Sequence, residues 1–193
     1  RQRQMCIRDR FQRSLPAMNR TSILIGIGAN LSPDGYATPR EGCEAAIASL
    51  ADLGIDVVAV SPWYETAPVP VSDQPWFNNA VIAATTSMSA ADALAALHRV
   101  EARFGRIRTV RNAARVLDLD LLDYGGLTYD DDNISIPHPR LHERAFVLLP
   151  MRDVAPGYSH PVSGLGIDDL IAALPGDQQI RNCLLYTSDA ADE

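Results

Sequence analysis

Residues 117–121 read Leu-Asp-Leu-Asp-Leu, an unbroken alternation of apolar and charged side chains. Successive side chains of a β-strand point to opposite faces, so this pattern predicts a strand with leucines on one face and aspartates on the other. We place this strand at 116–122, with Gly125 and Gly126 as its turn. Its leucine face requires a hydrophobic core, and its aspartate face must meet solvent or a ligand.

Other strands and helices are predicted on both sides of this segment. Further strands are expected at 23–28, at 57–64, at 77–87 and in a short stretch that ends at Pro137. Helices are expected over about 40–53, from a capping Ser89 through Phe104, over 141–151 and over 167–174. Pro62 limits its strand to an edge or to its end, and 66–70 is expected to be a rigid loop. Because strands and helices do not strictly alternate, we predict an α+β fold, a ferredoxin-like sandwich with helices packed on a mainly antiparallel sheet.

The composition is that of an ordinary soluble globular protein, with 47% hydrophobic and 21% charged residues and a net charge of −7. We expect a single domain over 19–182, with non-native-looking tails at 1–18 and 183–193 outside it. No apolar run approaches the roughly 18 residues of a membrane span. The odd number of cysteines argues against a disulfide framework and fits a reducing cytoplasm. A monomer is expected.

All 17 basic side chains are arginines, which excludes a Schiff-base lysine and the lysine of a phosphate-binding loop. Codon bias can explain the absence of lysine but not the positions of the arginines. Six arginines and one acid, Glu101, lie between Arg99 and Arg115. A basic helix end accounts for Arg99 and Arg103. Those that follow Gly105 are expected in a loop, where forked guanidinium groups suit a polyphosphate.

The two aspartates at 118 and 120 allow two interpretations. Their Cα atoms should be roughly 6.5–7 Å apart on one strand face, and two carboxylates so placed repel each other unless water or a cation separates them. They form either an exposed polar face or a site for one or two Mg²⁺ ions. The adjacent arginines favour the metal site, because arginines and metal-binding carboxylates together serve nucleotide phosphoryl chemistry.

Two more motifs place functional side chain types in fixed positions. His138 lies between Pro137 and Pro139 and is rigidly presented. Phe77 and Asn79 share one face of their strand, where a ring beside a carboxamide could stack on a flat heterocycle and read its edge. A core phenylalanine with a turn-forming asparagine is the alternative. His142 and His160 are expected at the surface and in a loop without a partner.

Five motifs, in this order and spacing, resemble the 6-hydroxymethyl-7,8-dihydropterin pyrophosphokinase family of folate biosynthesis. They are G-I-G-A-N-L at 26–31, S-P-W-Y-E-T-A-P at 61–68, Q-P-W-F-N-N-A at 74–80, R-x-L-D-L-D at 115–120 and I-P-H-P-R-L-H-E-R-A-F-V-L-L-P at 136–150. The resemblance implies transfer of a diphosphate group from ATP to the pterin hydroxymethyl oxygen, with release of AMP.

The resemblance also implies a role for individual residues. It implies catalytic roles for Arg106 and Arg115, and two Mg²⁺ ions bound by Asp118 and Asp120. The nucleotide would be bound by His98, Glu101, Arg108, Arg111, His138 and Arg144. The pterin pocket would be shaped by Thr66, Pro68, Val69, Phe77, Asn79 and Phe146.

The chain departs from the family pattern at three points. Ala29 replaces the usual serine, and His98 stands where many members carry glutamine. Asn112 occupies the position of a tryptophan, in a loop that is one residue shorter. Asn112 cannot supply an aromatic lid over the pterin, so the departure concerns the lid contact and not the chemistry.

Two other functions compete with this interpretation. A nucleic-acid-binding module could use the arginines as its footprint, but it would be expected to have a basic surface and exposed aromatic residues. The acidic net charge and the 6% aromatic content disfavour it. A metal-dependent phosphohydrolase would use the same aspartates, and the sequence does not exclude it. We expect ATP and hydroxymethyldihydropterin as partners, with no nucleic acid and no membrane.

Overall fold

The computed structural model describes residues 20–68, 73–106, 114–131 and 133–183. Its strands are β1 Thr21–Ala29, β2 Ile55–Val60, β3 Tyr64–Thr66, β4 Phe77–Thr86, β5 Asp118–Tyr124, β6 Tyr129–Asp130, β7 Ser135–Ile136 and β8 Ile180–Asn182. Its α-helices are α1 Pro39–Ser49, α2 Ala90–Arg103, α3 Ala145–Val154 and α4 Ile167–Ala172. Short 3-10 helices cover Ala51–Leu53 and Leu141–Glu143. Within these ranges, no helix has both the length and the apolar character needed to span a bilayer.

The ten-residue β4 organises a six-stranded sheet in which all pairs are antiparallel. β1 pairs with one side of β4, and β5 pairs with the outer side of β1. β2 and β3 lie end to end along the other side of β4, and β8 pairs with β3. Strands β6 and β7 form a separate two-stranded ribbon. The predicted α+β class, with helices packed on an antiparallel sheet, is confirmed.

Helices cover both faces of the sheet, but not equally. Helices α1 and α2 pack on one face, where Ile25, Leu119 and Leu97 are buried in one cluster. Helices α3 and α4 pack on the other face, against a second cluster that contains Val81 and Leu122. The leucines of 117–121 all point into the first cluster, as predicted. The aspartates therefore lie on the second face, beside the part that α3 and α4 cover.

The single strand predicted over 57–64 is wrong, because Ser61-Pro62-Trp63 separates two strands. Pro62 has no N–H group with which to continue the ladder. Ser61 takes over the pairing, since its N–H donates to the Val81 carbonyl (2.9 Å) and its hydroxyl accepts from the Val81 N–H (3.0 Å). The chain can then resume as β3 on the same side of β4.

Two features near the carboxyl end differ from the prediction. The helix expected over 141–151 begins later, because Arg144 has an extended conformation (φ −118°, ψ 112°) between the 3-10 helix and α3. The short strand β8 was not predicted. After it, the Cys183 N–H donates to the Trp63 carbonyl (2.9 Å), and the Cys183 side chain packs against the first cluster.

The carboxyl end of α2 places Arg106 next to Asp118 of β5. Ser89 caps the first turn, as predicted, by accepting from the Asp92 N–H (3.2 Å). At the other end the Gly105 N–H donates to Ala102 and the Arg106 N–H donates to Glu101, with Gly105 at φ +82°. This pair of bonds is the Schellman motif, which ends a helix at a left-handed residue. Arg106 is thus fixed by the backbone directly after the helix.

We expect Gly105→Ala to lower the free energy of unfolding by about 1 kcal/mol, because a side chain at positive φ is strained. A Cβ atom there would meet no heavy atom within 4 Å, so a steric clash would not contribute. Urea denaturation measures the change. Gly157→Ala is the matched control, since its Cβ would also have open space and its φ lies outside the left-handed region. Equal losses in the two variants would contradict the explanation.

Candidate functional site

A cavity of about 1150 Å³ lies on the second face of the sheet, where α3 and α4 leave the strands uncovered. Gly26 and Gly28 of β1 contribute to its wall and bring no side chain into it. The cavity brings together most of the residues that the sequence singled out. These are Thr66, Pro68, Phe77, Asn79, Arg115, Asp118, Asp120, Arg144 and Phe146.

The charge of Asp118 is neutralised by two arginines. Its Oδ1 accepts from Arg106 Nη1, and its Oδ2 accepts from Arg115 Nη1. The two arginines lie on either side of the segment 107–113, which is outside the described residues. A carboxylate that pairs with a separate guanidinium on each oxygen is held in one orientation.

Asp120 has a different environment. Its Oδ2 lies 3.7 Å from Arg144 Nη1, a longer contact than those of Asp118. Desolvation and the neighbouring charge of Asp118 raise the pKa of Asp120, while His138 and Arg144 act in the opposite direction. A cation beside the two carboxylates would favour their charged forms. Among the described residues, no group of three or more His, Cys, Asp or Glu could hold a metal ion.

Glu101, on α2, contacts residues of the site but is not itself among the described residues that line the cavity. It is 1% exposed, and its Oε1 accepts from the Leu119 N–H (2.8 Å) and from Arg106 Nη1. Glu101 thus joins α2 to β5 and holds the arginine that reaches Asp118. Glu101 and His98, one turn earlier on α2, are not among the described residues that line the cavity. Their direct contact with the nucleotide stays a prediction from the family resemblance.

Asn30 has a structural role that the sequence did not reveal. Its side chain is 2% exposed; Oδ1 accepts from the Arg115 N–H (2.7 Å), and Nδ2 donates to the Pro75 carbonyl (3.1 Å). The N–H groups of Asn30 and Leu31 both donate to the Arg115 carbonyl. The end of β1 therefore fixes the backbone of Arg115 and ties it to the segment that leads into β4.

At the other end of the cavity, Asn79 and Thr66 form a buried polar pair. Asn79 Nδ2 donates to Thr66 Oγ1 (2.8 Å), and both residues line the cavity. Asn79 lies within β4 and not in a turn, and Phe77 is half-buried on the same face. Gly28 pairs with Asn79 across the ladder, and a Cβ atom on Gly28 would be 2.6 Å from Asn79 Oδ1. The absence of a side chain at Gly28 leaves room for the Asn79 carboxamide beside β1.

Residues between Arg140 and Phe146 form another wall of the cavity, and His138, just before them, is not among the lining residues that the structure describes. His138 Nδ1 accepts from the Arg140 N–H (3.1 Å), so the proton of the neutral imidazole is on Nε2. Desolvation lowers the pKa of His138, while the charge of Asp120 raises it. Arg144 Cζ lies 5.4 Å from the centre of the Phe146 ring, which places a cation and an aromatic face at one point of the wall.

Two histidines that the sequence assigned to the surface and to a loop also line the cavity. The rings of His142 and His160 are 5.7 Å apart, edge to face. His160 is 6% exposed, and its Nδ1 accepts from the Ser163 N–H (3.2 Å). The expectation that His160 lacks a partner is therefore wrong. The predictions for Val69, Arg108, Arg111 and Asn112 fall outside the described residues.

The family model for 7,8-dihydro-6-hydroxymethylpterin-pyrophosphokinase matches residues 24–156. This chain belongs to that family. The 2-amino-4-hydroxy-6-hydroxymethyldihydropteridine pyrophosphokinase of Pseudomonas aeruginosa is 38% identical over 154 residues, 79% of this chain and 91% of the relative. The Synechocystis enzyme of the same name is 36% identical over 77% of this chain and 73% of the relative.

Longer proteins contain the same region. The folic acid synthesis protein of Pneumocystis carinii is 32% identical over 95% of this chain, which spans 24% of that protein. Among solved structures, a Plasmodium falciparum HPPK-DHPS triple mutant has a TM-score of 0.62 at 14% identity, over 82% of this chain and 45% of the other. At that identity the structural likeness supports the fold alone.

We expect Gly28→Ala to weaken pterin binding by about tenfold, because the new methyl group would displace the Asn79 carboxamide and leave its hydrogen bonds unmade. Isothermal titration with the dihydropterin measures the change. Gly26→Ala is the matched control, since its Cβ would meet the Leu122 side chain at 3.5 Å, an ordinary contact. Similar losses in both variants would show that Asn79 is not the cause.

Proposed function

We propose that this pyrophosphokinase-family protein transfers a diphosphate group from ATP to the hydroxymethyl oxygen of 6-hydroxymethyl-7,8-dihydropterin, a step of folate biosynthesis. The products are AMP and the pterin diphosphate. One observation carries the proposal: a single cavity joins Asp118, Asp120 and Arg115 to the Asn79–Thr66 pair. The Pseudomonas and Synechocystis relatives, whose names describe this activity, support it.

The pterin is proposed to bind at the Asn79 end. Phe77 and Phe146 both line the cavity, and their rings suit a flat heterocycle. Asn79 donates through Nδ2 to Thr66, so its Oδ1 remains the group that can accept from ring N–H donors. Thr66 Oγ1 accepts that bond and keeps its own hydroxyl proton to donate. The polar pair therefore offers one acceptor and one donor to the edge of the ring.

The triphosphate is proposed to bind at the aspartate end. Asp118 engages Nη1 of Arg106 and Nη1 of Arg115, and each guanidinium carries several further N–H donors for phosphate oxygens. Arg144 adds a third cation beside Asp120. His138 in its neutral form has an Nε2–H group to donate, while its Nδ1 is occupied by the backbone. These groups neutralise and orient the phosphates.

Asp118 and Asp120 are proposed to hold Mg²⁺, and the family resemblance implies two ions. The donor set fits, because Mg²⁺ binds through one or two carboxylates and completes its shell with water and substrate phosphates. Desolvation, and then the charge of Asp118, raise the pKa of Asp120, so a cation bound there would favour its charged form. When bound, Mg²⁺ would neutralise charge on the phosphates and on the attacking oxygen. The chain itself needs only to position the two substrates and exclude water.

We also propose that the protein works as a monomer in the cytoplasm. The cavity is lined by residues of a single chain. Cys43 and Cys183 are both free, and burial raises the pKa of Cys43 to about 12, so its thiol is unreactive. Both observations fit a reducing compartment.

We expect Mg²⁺-dependent formation of AMP from ATP only when 6-hydroxymethyl-7,8-dihydropterin is present. Chromatography of the nucleotides gives the measurement, with pterin omitted in a parallel reaction. ADP as the product would contradict diphosphate transfer. Release of inorganic phosphate or diphosphate without the pterin would instead support the phosphohydrolase function.

Asp118→Asn and Asp120→Asn should each lower kcat by at least about 100-fold, since each removes a charged group that stabilises the transition state. Turnover is compared per folded molecule, since Asp118→Asn also removes the charged partner of Arg106 and Arg115. Asp123→Asn is the matched control: it is the next carboxylate on β5, its Oδ1 accepts from the Gly126 N–H, and the amide can preserve that bond. Retained turnover in either of the first two variants would refute the metal-site assignment.

A further inference from the structure

Helix α3 begins without a cap from its own chain segment. The residue before it, Arg144, makes no side-chain capping hydrogen bond, because its guanidinium points toward Asp120 in the cavity. The first N–H groups of an α-helix have no partner within the helix. A helix that starts with an arginine directed into the site therefore needs an acceptor from elsewhere.

Gln178, from the segment between α4 and β8, supplies that acceptor. Its Oε1 accepts from the Ala145 N–H (2.8 Å), and its Nε2 donates to the Glu143 carbonyl (2.9 Å). One carboxamide thus binds the backbone on both sides of Arg144. We call these two hydrogen bonds the Gln178 bridge. They restrain the peptide groups that determine where the Arg144 side chain leaves the backbone, and Phe146, two residues further along the chain, also lines the cavity.

The segment that carries Gln178 is also attached to the opposite wall. The Gln179 carbonyl accepts from the Ala67 N–H (3.2 Å), and β8 pairs with Tyr64–Thr66. Arg181 reinforces this pairing through Glu65, with Nε 2.7 Å from Oε2. The wall that contains Thr66 and the wall that contains Arg144 and Phe146 are therefore joined through residues 178–182.

We infer that Gln178 is a positioning residue, which sets the placement of Arg144 and Phe146 against the Thr66 wall. The role assigned to those two side chains rests on the proposed function, but the two hydrogen bonds do not. Gln178 also lines the cavity, but both polar atoms of its carboxamide are bound to the backbone at 143–145, so its effect is assigned to that backbone. It should therefore affect both substrates, because Arg144 faces the phosphates and Phe146 faces the pterin.

The experiment compares full-length wild-type protein with Gln178→Ala, Gln178→Glu and Gln179→Ala. Gln178→Ala should reduce kcat/KM for both ATP and pterin by roughly tenfold, which corresponds to the loss of the two bonds. Gln178→Glu keeps the acceptor for Ala145 and loses the donor to Glu143, so it should give an intermediate value. Gln179→Ala is the matched control, since Gln179 also lines the cavity but its hydrogen bond to Ala67 comes from its backbone oxygen.

A double-mutant cycle with Arg144→Ala separates positioning from general stability. If Gln178 acts through Arg144, Gln178→Ala should lower kcat/KM by a clearly smaller factor in the Arg144→Ala background than in the wild type. An equal loss in both backgrounds, wild-type kinetics in Gln178→Ala, or a loss explained by a smaller folded fraction in circular dichroism would overturn the inference.

Hydrogen exchange at the Ala145 amide provides a measurement that does not depend on turnover. Exchange should be faster in Gln178→Ala than in the wild type, and unchanged in Gln179→Ala. Unchanged exchange in Gln178→Ala would show that the Gln178 bridge does not protect the Ala145 amide, and would overturn the inference. Absence of AMP formation by the wild-type protein would refute the proposed function, while the exchange result would still decide the bridge.

Discussion

Two carboxylates on one face of a strand whose other face is buried must be neutralised, and most of the site serves that requirement. Asp118 and Asp120 cannot turn away from each other, because the alternating leucines at 117, 119 and 121 fix the strand to the core. Glu101, Arg106, Asp118 and Arg115 form a row of alternating charges, and Arg144 faces Asp120. Removing such groups from water costs free energy that the ion pairs do not fully recover. This cluster of charged side chains therefore fits a role in ligand binding better than a role in stabilising the fold.

Each arginine of the site is positioned by a different set of hydrogen bonds to the backbone near it. Arg106 follows a Schellman motif at the end of α2, Arg115 is fixed by three hydrogen bonds to Asn30 and Leu31, and Arg144 is flanked by the Gln178 bridge. Guanidinium groups on long side chains lose much rotamer freedom when they are ordered. Because the backbone below these side chains is already fixed, less conformational entropy would be lost when a polyphosphate binds.

The parts of this structure that sequence predicted are those with a local physical signal. The period of two in 117–121 predicted both the strand and the direction of its aspartates, and Ser89 with Asp92 predicted the start of α2. The strand β8 was missed because Ile-Arg-Asn has neither length nor alternation and is defined only by its pairing with β3. The roles of Asn30 and Gln178 were missed for the same reason: their partners are 85 and 33 residues away. A single sequence does not reveal such contacts.

Asn79, Gly28 and Asp118 are aligned across three neighbouring strands by backbone pairing. Adjacent strands are about 4.8 Å apart, so the backbones of Asn79 and Asp118 are separated by about 10 Å. That distance depends on the hydrogen-bonded ladder and not on side-chain flexibility. In the proposed function this spacing would select substrates by length, because a heterocycle bound at Asn79 would react only if its hydroxyl group reached the carboxylates across the width of β1.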